Sequence, residues 1–199
     1  MLSKYLCAGI ALGALATATS AQSVFEATSV TLQAQIGRSE TGFDSCGVRG
    51  IVVTPDENFL EAYDFSISVR PDMFYGMLKG GKRRVPVSTT YQADKLPPAI
   101  IPSPVKFWIA RELRGRPLLG HTVSPSSDAG FSLMLGDIVE SYKIINEIIT
   151  GERMQFALRY ANEKSDLVVS FSGKLTPEQT SAVQACMVDV LDQLKASNE

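Results

Sequence analysis

The chain has 199 residues, 45% of them hydrophobic and 20% charged, with a formal net charge of −2 and a single histidine. That balance suits one globular domain and excludes disorder throughout. The slight acidity argues against nucleic acid as a main partner, and one histidine excludes metal centres built on two or more.

The first residues differ in kind from the rest. Lys4 precedes an apolar run from Leu6 to Leu15, followed by Thr19-Ser20-Ala21, which predicts a signal peptide over residues 1–21. The run is shorter than the roughly 20 residues of a bilayer span, and no later segment is longer or more apolar, so no transmembrane anchor is expected in the mature chain. Cys7 stands at the beginning of the apolar run, whereas a lipidated cysteine closes one. Residues 22–199 are then expected to form a single β-rich domain of a bacterial periplasmic or secreted protein.

Val30, Leu32, Ala34 and Ile36 alternate with polar residues and predict a strand, and residues 38–44 read as a polar loop. Cys46 enters a strand that Thr54-Pro55-Asp56 ends in a turn. Phe65, Ile67 and Val69 alternate with Ser66 and Ser68 in the next strand. Met73, Phe74, Met77 and Leu78 share one face of a short helix, although Gly76 weakens it. Lys79, Lys82, Arg83 and Arg84 make the one basic run, either a contact for an anionic partner or a solvated turn. It is not a phosphate-binding loop, since no Ser or Thr follows Lys82.

Pro97, Pro98, Pro102 and Pro104 make residues 95–104 an extended connector that divides the chain near its middle and is expected to cross between sheets or subdomains. Beyond it Val105, Phe107 and Ile109 alternate with Lys106, Trp108 and Ala110. Trp108 thus faces away from Phe107 and Ile109, either packed under a second layer or exposed as a recognition residue. A strand through Phe131, Leu133 and Leu135 follows a polar turn. Phe65-Ser66-Ile67, Pro71-Asp72-Met73 and Gly81-Lys82-Arg83 parallel Phe131-Ser132-Leu133, Gly136-Asp137-Ile138 and Gly151-Glu152-Arg153, which suggests a pseudo-repeat of strand, helix and strand in the two halves.

The last third reads helix, hairpin, helix. Asp137 caps a helix whose Ile138, Val139, Tyr142, Ile145, Ile148 and Ile149 fall on one face, and Gly151 stands where a left-handed terminating residue is expected. The period then becomes two. Met154, Phe156, Leu158 and Tyr160 line one strand and Leu167, Val169 and Phe171 its antiparallel partner. Thr176-Pro177-Glu178-Gln179 combines an N-cap hydroxyl, a first-turn proline and a capping-box glutamine, and Val183, Cys186, Met187, Val190, Leu191 and Leu194 mark the apolar stripe of the helix it starts.

Once the leader is gone, Cys46 and Cys186 are the two cysteines left, an even number in an oxidising compartment, and a disulfide between them is expected. A reactive thiol is the alternative, but Cys186 lies on an apolar stripe where a thiolate is disfavoured.

The order helix, glycine, strand, polar turn and strand ending in Phe-Ser-Gly resembles the C-terminal half of the invasion-associated locus B family of secreted bacterial proteins. The resemblance rests on Ile148-Ile149-Thr150-Gly151-Glu152 and Val169-Ser170-Phe171-Ser172-Gly173. Where that family enters an alanine-rich helix start, this chain has Lys174-Leu175-Thr176-Pro177. The resemblance implies an antiparallel β-sandwich-like fold with a mid-chain and a C-terminal helix, and an exported location. It carries no catalytic residue across.

His121 sits among loop residues. Ser124, Ser126 and Ser127 lack the G-x-S-x-G elbow of a nucleophile, and pairs such as Glu57 with Glu61 or Asp189 with Asp192 are explained by solvation. No catalytic residue, metal ligand or cofactor is assigned. The expected function is non-enzymatic binding of a protein or cell-envelope component, with Lys79, Lys82, Arg83, Arg84 and Trp108 as contact residues. The alternative is an envelope hydrolase using loop carboxylates.

Overall fold

Alternating apolar residues cannot bury their inner face in an isolated strand, so they close into sheets that cover one another. The computed structural model describes residues 22–40, 42–55, 59–70, 75–86, 102–111 and 123–196. In chain order the elements are β1 (Gln22–Glu26), β2 (Ser29–Ser39), β3 (Gly42–Pro55), β4 (Phe59–Arg70), β5 (Tyr75–Pro86), β6 (Lys106–Ala110), β7 (Val123–Pro125), β8 (Phe131–Asp137), α1 (Ile138–Ile149), β9 (Met154–Arg159), β10 (Asp166–Phe171) and α2 (Pro177–Ala196).

Two sheets result. The larger has the order β2-β3-β4-β5-β8-β7, every neighbouring pair antiparallel, and the smaller has the order β1-β10-β9-β6. Among the described strands only β1 runs parallel to its neighbour, β10. The architecture is the expected antiparallel sandwich-like α+β fold with a mid-chain helix and a closing helix. The chain changes sheets between β5 and β6, across the proline-rich span, most of which lies outside the described residues.

The inner face of the large sheet is covered in two ways. Towards one end of the strands it packs on the small sheet, where Phe65 meets Phe156 and Phe171 with ring centroids 5.3 and 5.2 Å apart. Glycine makes room for those rings. Gly50 and Gly80 stand opposite Phe65 on its two neighbouring strands, and a Cβ added at Gly50 would lie 2.2 Å from the Phe65 ring. Towards the other end α1 and α2 take over as the cover. Ser141 of α1 seats on Gly76, where a Cβ would lie 1.7 Å from its hydroxyl oxygen. A Cys46–Cys186 disulfide ties α2 to β3 across a sequence separation of 140.

Both helices start by local chemistry, and α1 also stops by it. The Asp137 carboxylate accepts from the amides of Val139 and Glu140 at 2.8 and 3.0 Å. Gly151 takes φ +80° just past the Thr150 cap, so the chain reverses into β9 without the Cβ strain another residue would meet. At α2 the capping box closes both ways at 3.2 Å, Gln179 amide to Thr176 hydroxyl and Thr176 amide to Gln179 side chain. Asp137→Ala should cost about 1 kcal/mol, the usual worth of an N-cap. A urea midpoint unchanged from wild type would show that α1 is held by packing alone.

Several expectations are corrected. Of the supposed short helix, Met73 and Phe74 lie outside the described residues, and Met77 and Leu78 belong to strand β5: Leu78 is buried on the inner face opposite Ile67 and Met134, while Met77 turns to the other face. Their helical spacing is a coincidence that pairing with β4 and β8 overrides. For the same reason Lys79, Lys82, Arg83 and Arg84 lie within β5 and not in a turn. The supposed loop over 38–44 is largely strand, since β2 runs to Ser39 and β3 begins at Gly42. In α1 the buried face includes Ser141 and Ile144, and Val139 is 68% exposed. Of the suggested pseudo-repeat, Pro71-Asp72-Met73 lies outside the described residues; β4 and β5 are paired neighbours, whereas β8 and β9 lie in different sheets with α1 between them. The signal-peptide reading, over residues 1–21, lies outside the described residues.

Candidate functional site

A strand sends successive side chains to opposite faces, so placing the basic run in β5 divides it. Lys79 and Arg83 emerge on the outer face of the large sheet. Lys82 points inward. There its ammonium lies 3.3 Å from the Glu61 carboxylate and 5.5 Å from the centre of the Tyr160 ring, and Tyr63 donates its hydroxyl to the same carboxylate at 2.7 Å. Burial, and then Glu61, pushes the Tyr63 and Tyr160 hydroxyls well above the usual tyrosine range. Lys82 is thereby engaged inside the sandwich. The Arg84 backbone pairs with Glu61 in the β4–β5 register.

On the outer face Lys79 and Arg83 are joined by a third cation that the sequence did not single out, while the Arg84 side chain lies outside what the structure describes. Arg49 of β3 grips Asp64 of β4 through two contacts, Nε to Oδ1 at 3.0 Å and Nη2 to Oδ2 at 2.5 Å, and Arg83 approaches the same carboxylate at 3.8 Å. Asp64 is only 7% exposed, so this fork holds Arg49 in place. Lys79 donates to Asp128, which reaches over from the turn between β7 and β8. That turn is set by its own hydrogen bonds: the Asp128 amide donates to the Ser126 hydroxyl and its carbonyl accepts from Phe131. The Lys79 ammonium holds the Asp128 carboxyl below its ordinary range, with Arg83 and Arg49 adding to the effect.

Phe131 forms the floor. Its ring rests on Gly81, where a Cβ would come within 2.8 Å of it, and lies 5.0 Å from the Arg83 guanidinium carbon and 5.4 Å from the Lys79 ammonium. Both separations suit a cation over an aromatic ring. Leu133 and Leu135 of β8 stand opposite Lys79 and Met77, and Leu135 is 48% exposed. The expected apolar alternation through Phe131, Leu133 and Leu135 therefore faces outward, while Met134 enters the core.

Trp108 is not part of this face. It is half-buried on the outer side of the small sheet, packed with Ala157, Val168 and Ala110, with the Arg159 guanidinium 5.6 Å from its ring. Arg159 is held by Asp166 in a two-point contact at 2.6 and 2.8 Å. The sandwich thus puts Trp108 and the Lys79–Arg83 pair on opposite outer surfaces.

Between α1 and α2 runs a groove with hollows of about 280 and 120 Å³, both bordered by Tyr142. Of the carboxylates, Asp189 accepts from Gln193 at 2.7 Å and Asp192 pairs with Lys195 at 3.1 Å along α2. Glu57 and His121 lie outside the described residues. Among those described, no group of three His, Cys, Asp or Glu could hold a metal ion, and no helix is long and apolar enough to cross a membrane.

No protein-family model matches the chain, and no curated protein or solved structure is significantly similar to it.

Proposed function

We propose that this is a non-enzymatic protein of the bacterial cell envelope, periplasmic or secreted, that binds a protein or another envelope component, with contact to a host cell as one setting. The carrying observation is the outer face of the large sheet, where Lys79 and Arg83 lie over Phe131, Arg49 shares Asp64 with Arg83, and, among the described residues, neither helix nor the small sheet packs on them. Cations held in fixed positions on a surface steer and orient a partner of opposite charge. The Cys46–Cys186 disulfide is compatible with an oxidising compartment and so favours export. The resemblance of the last third to the invasion-associated locus B family points the same way.

The test is capture from an envelope extract by the mature, oxidised protein, beside a Lys79→Glu, Arg83→Glu double variant. Wild type should retain a partner in stoichiometric amount, and the variant roughly tenfold less, as expected when rim charges of an interface are reversed. Release of glycan fragments over time by the wild type would replace binding with the hydrolase reading.

A further inference from the structure

We infer that Arg49, Lys79 and Arg83 form a receptor for the carboxylate side chains of an acidic protein segment, and that Asp128 is an internal stand-in occupying it. The inference rests on the binding function proposed above and names the chemistry of the partner.

The two carboxylates of the cluster have different roles. Asp64 is buried and fixed by the fork from Arg49, so it belongs to the scaffold. Asp128 rides on a turn, its side chain is 51% exposed, and among the described residues Lys79 is its one hydrogen-bonded cation. Among the described residues the three cations face these two carboxylates, so there the cluster keeps an excess positive charge even with Asp128 in place. Swinging Asp128 away would free Lys79, while Asp64 and Phe131 would still hold the guanidiniums in register.

The occupant supplied by the fold is itself a carboxylate presented on a peptide turn, which is the chemistry an acidic segment would repeat. Next to the cations the same face offers Met77, Leu133 and the exposed Leu135, positions that suit an apolar residue neighbouring the acidic one. Charge with adjoining apolar surface favours a polypeptide over a uniformly sulfated or phosphorylated polymer.

The experiment measures binding of labelled poly-L-glutamate, with dextran sulfate and phosphatidylglycerol vesicles as competitors, to the mature oxidised protein, to Asp128→Asn and to Lys79→Gln/Arg83→Gln. Asp128→Asn should bind poly-L-glutamate about fivefold more tightly, the scale of one competing surface ion pair, and salt should weaken the interaction. The double variant should lose it. Binding by Asp128→Asn no tighter than wild type, or retained by the double variant, overturns the inference, as does a preference for dextran sulfate or the vesicles. Near-UV circular dichroism of each variant separates lost binding from lost folding. The envelope capture keeps the two proposals distinguishable. A protein retained equally by wild type and the Lys79→Glu, Arg83→Glu variant leaves the binding function standing and removes this face as its site. An empty wild-type capture removes the function itself.

Discussion

Replacing Cys46 and Cys186 together by alanine is expected to be among the most damaging changes this chain can carry, lowering the melting temperature by roughly 10 °C or more. The disulfide closes a loop spanning a sequence separation of 140, and the chain-entropy model assigns such a loop about 5 kcal/mol, with measured losses from native disulfides of about 2 to 5. Both cysteines are fully buried, Cys46 in the row of β3 that includes Val48 and Val52, Cys186 in the apolar stripe of α2. No other covalent link fastens α2 to β3 among the described residues, so α2 should be the first element to loosen. Thermal unfolding followed by circular dichroism, with and without reductant, checks this. A wild-type melting temperature within about 2 °C of the double variant's would mean that packing of Val183, Met187 and Val190 holds α2 unaided.

Phe65→Ala is the second large effect, a loss of about 3 to 5 kcal/mol. The side chain is 1% exposed, and its ring bridges the sheets by touching Phe156 and Phe171 across the gap. Alanine would leave a void that the surroundings can fill poorly, because the neighbouring positions on β3 and β5 are Gly50 and Gly80, which have no side chain to move in. The urea midpoint should fall strongly with an unchanged slope. By contrast Arg83, whose side chain is 55% exposed, should change stability by no more than about 0.5 kcal/mol on replacement. A midpoint for Phe65→Ala within that smaller range would mean that the two sheets do not share the core described above.

The elements easiest to read from sequence were those whose signals are local. Asp137, Gly151 and the Thr176–Gln179 box mark helix ends because each satisfies backbone groups within a few residues of itself. The β9–β10 hairpin was legible because its two alternating runs are separated only by a short polar turn. β1 left no comparable signal. It is a short edge strand whose Val24 and Phe25 are both substantially exposed, and it gains its place only by pairing parallel to β10, far away in sequence. β5 misled because Met77 and Leu78 read as helical and the basic run as a turn, although its Gly76 and Gly80 are where Ser141 and the aromatic rings press against the sheet.

For the candidate site the division is sharper. The sequence by itself determined that Lys79 and Arg83 exist as a basic pair, that Cys46 and Cys186 are the two cysteines beyond the N-terminal apolar run, and that helices flank a C-terminal hairpin. Only the tertiary structure decided that Lys82 is turned inward onto Glu61, that Arg49, Asp64, Asp128 and Phe131 converge on the other two cations, and that Trp108 lies on the opposite outer surface. The reason is physical. Caps and periodicity are satisfied within one element, whereas the face a strand residue shares with residues far along the chain follows from the register of β3, β4, β5 and β8, which no single strand encodes.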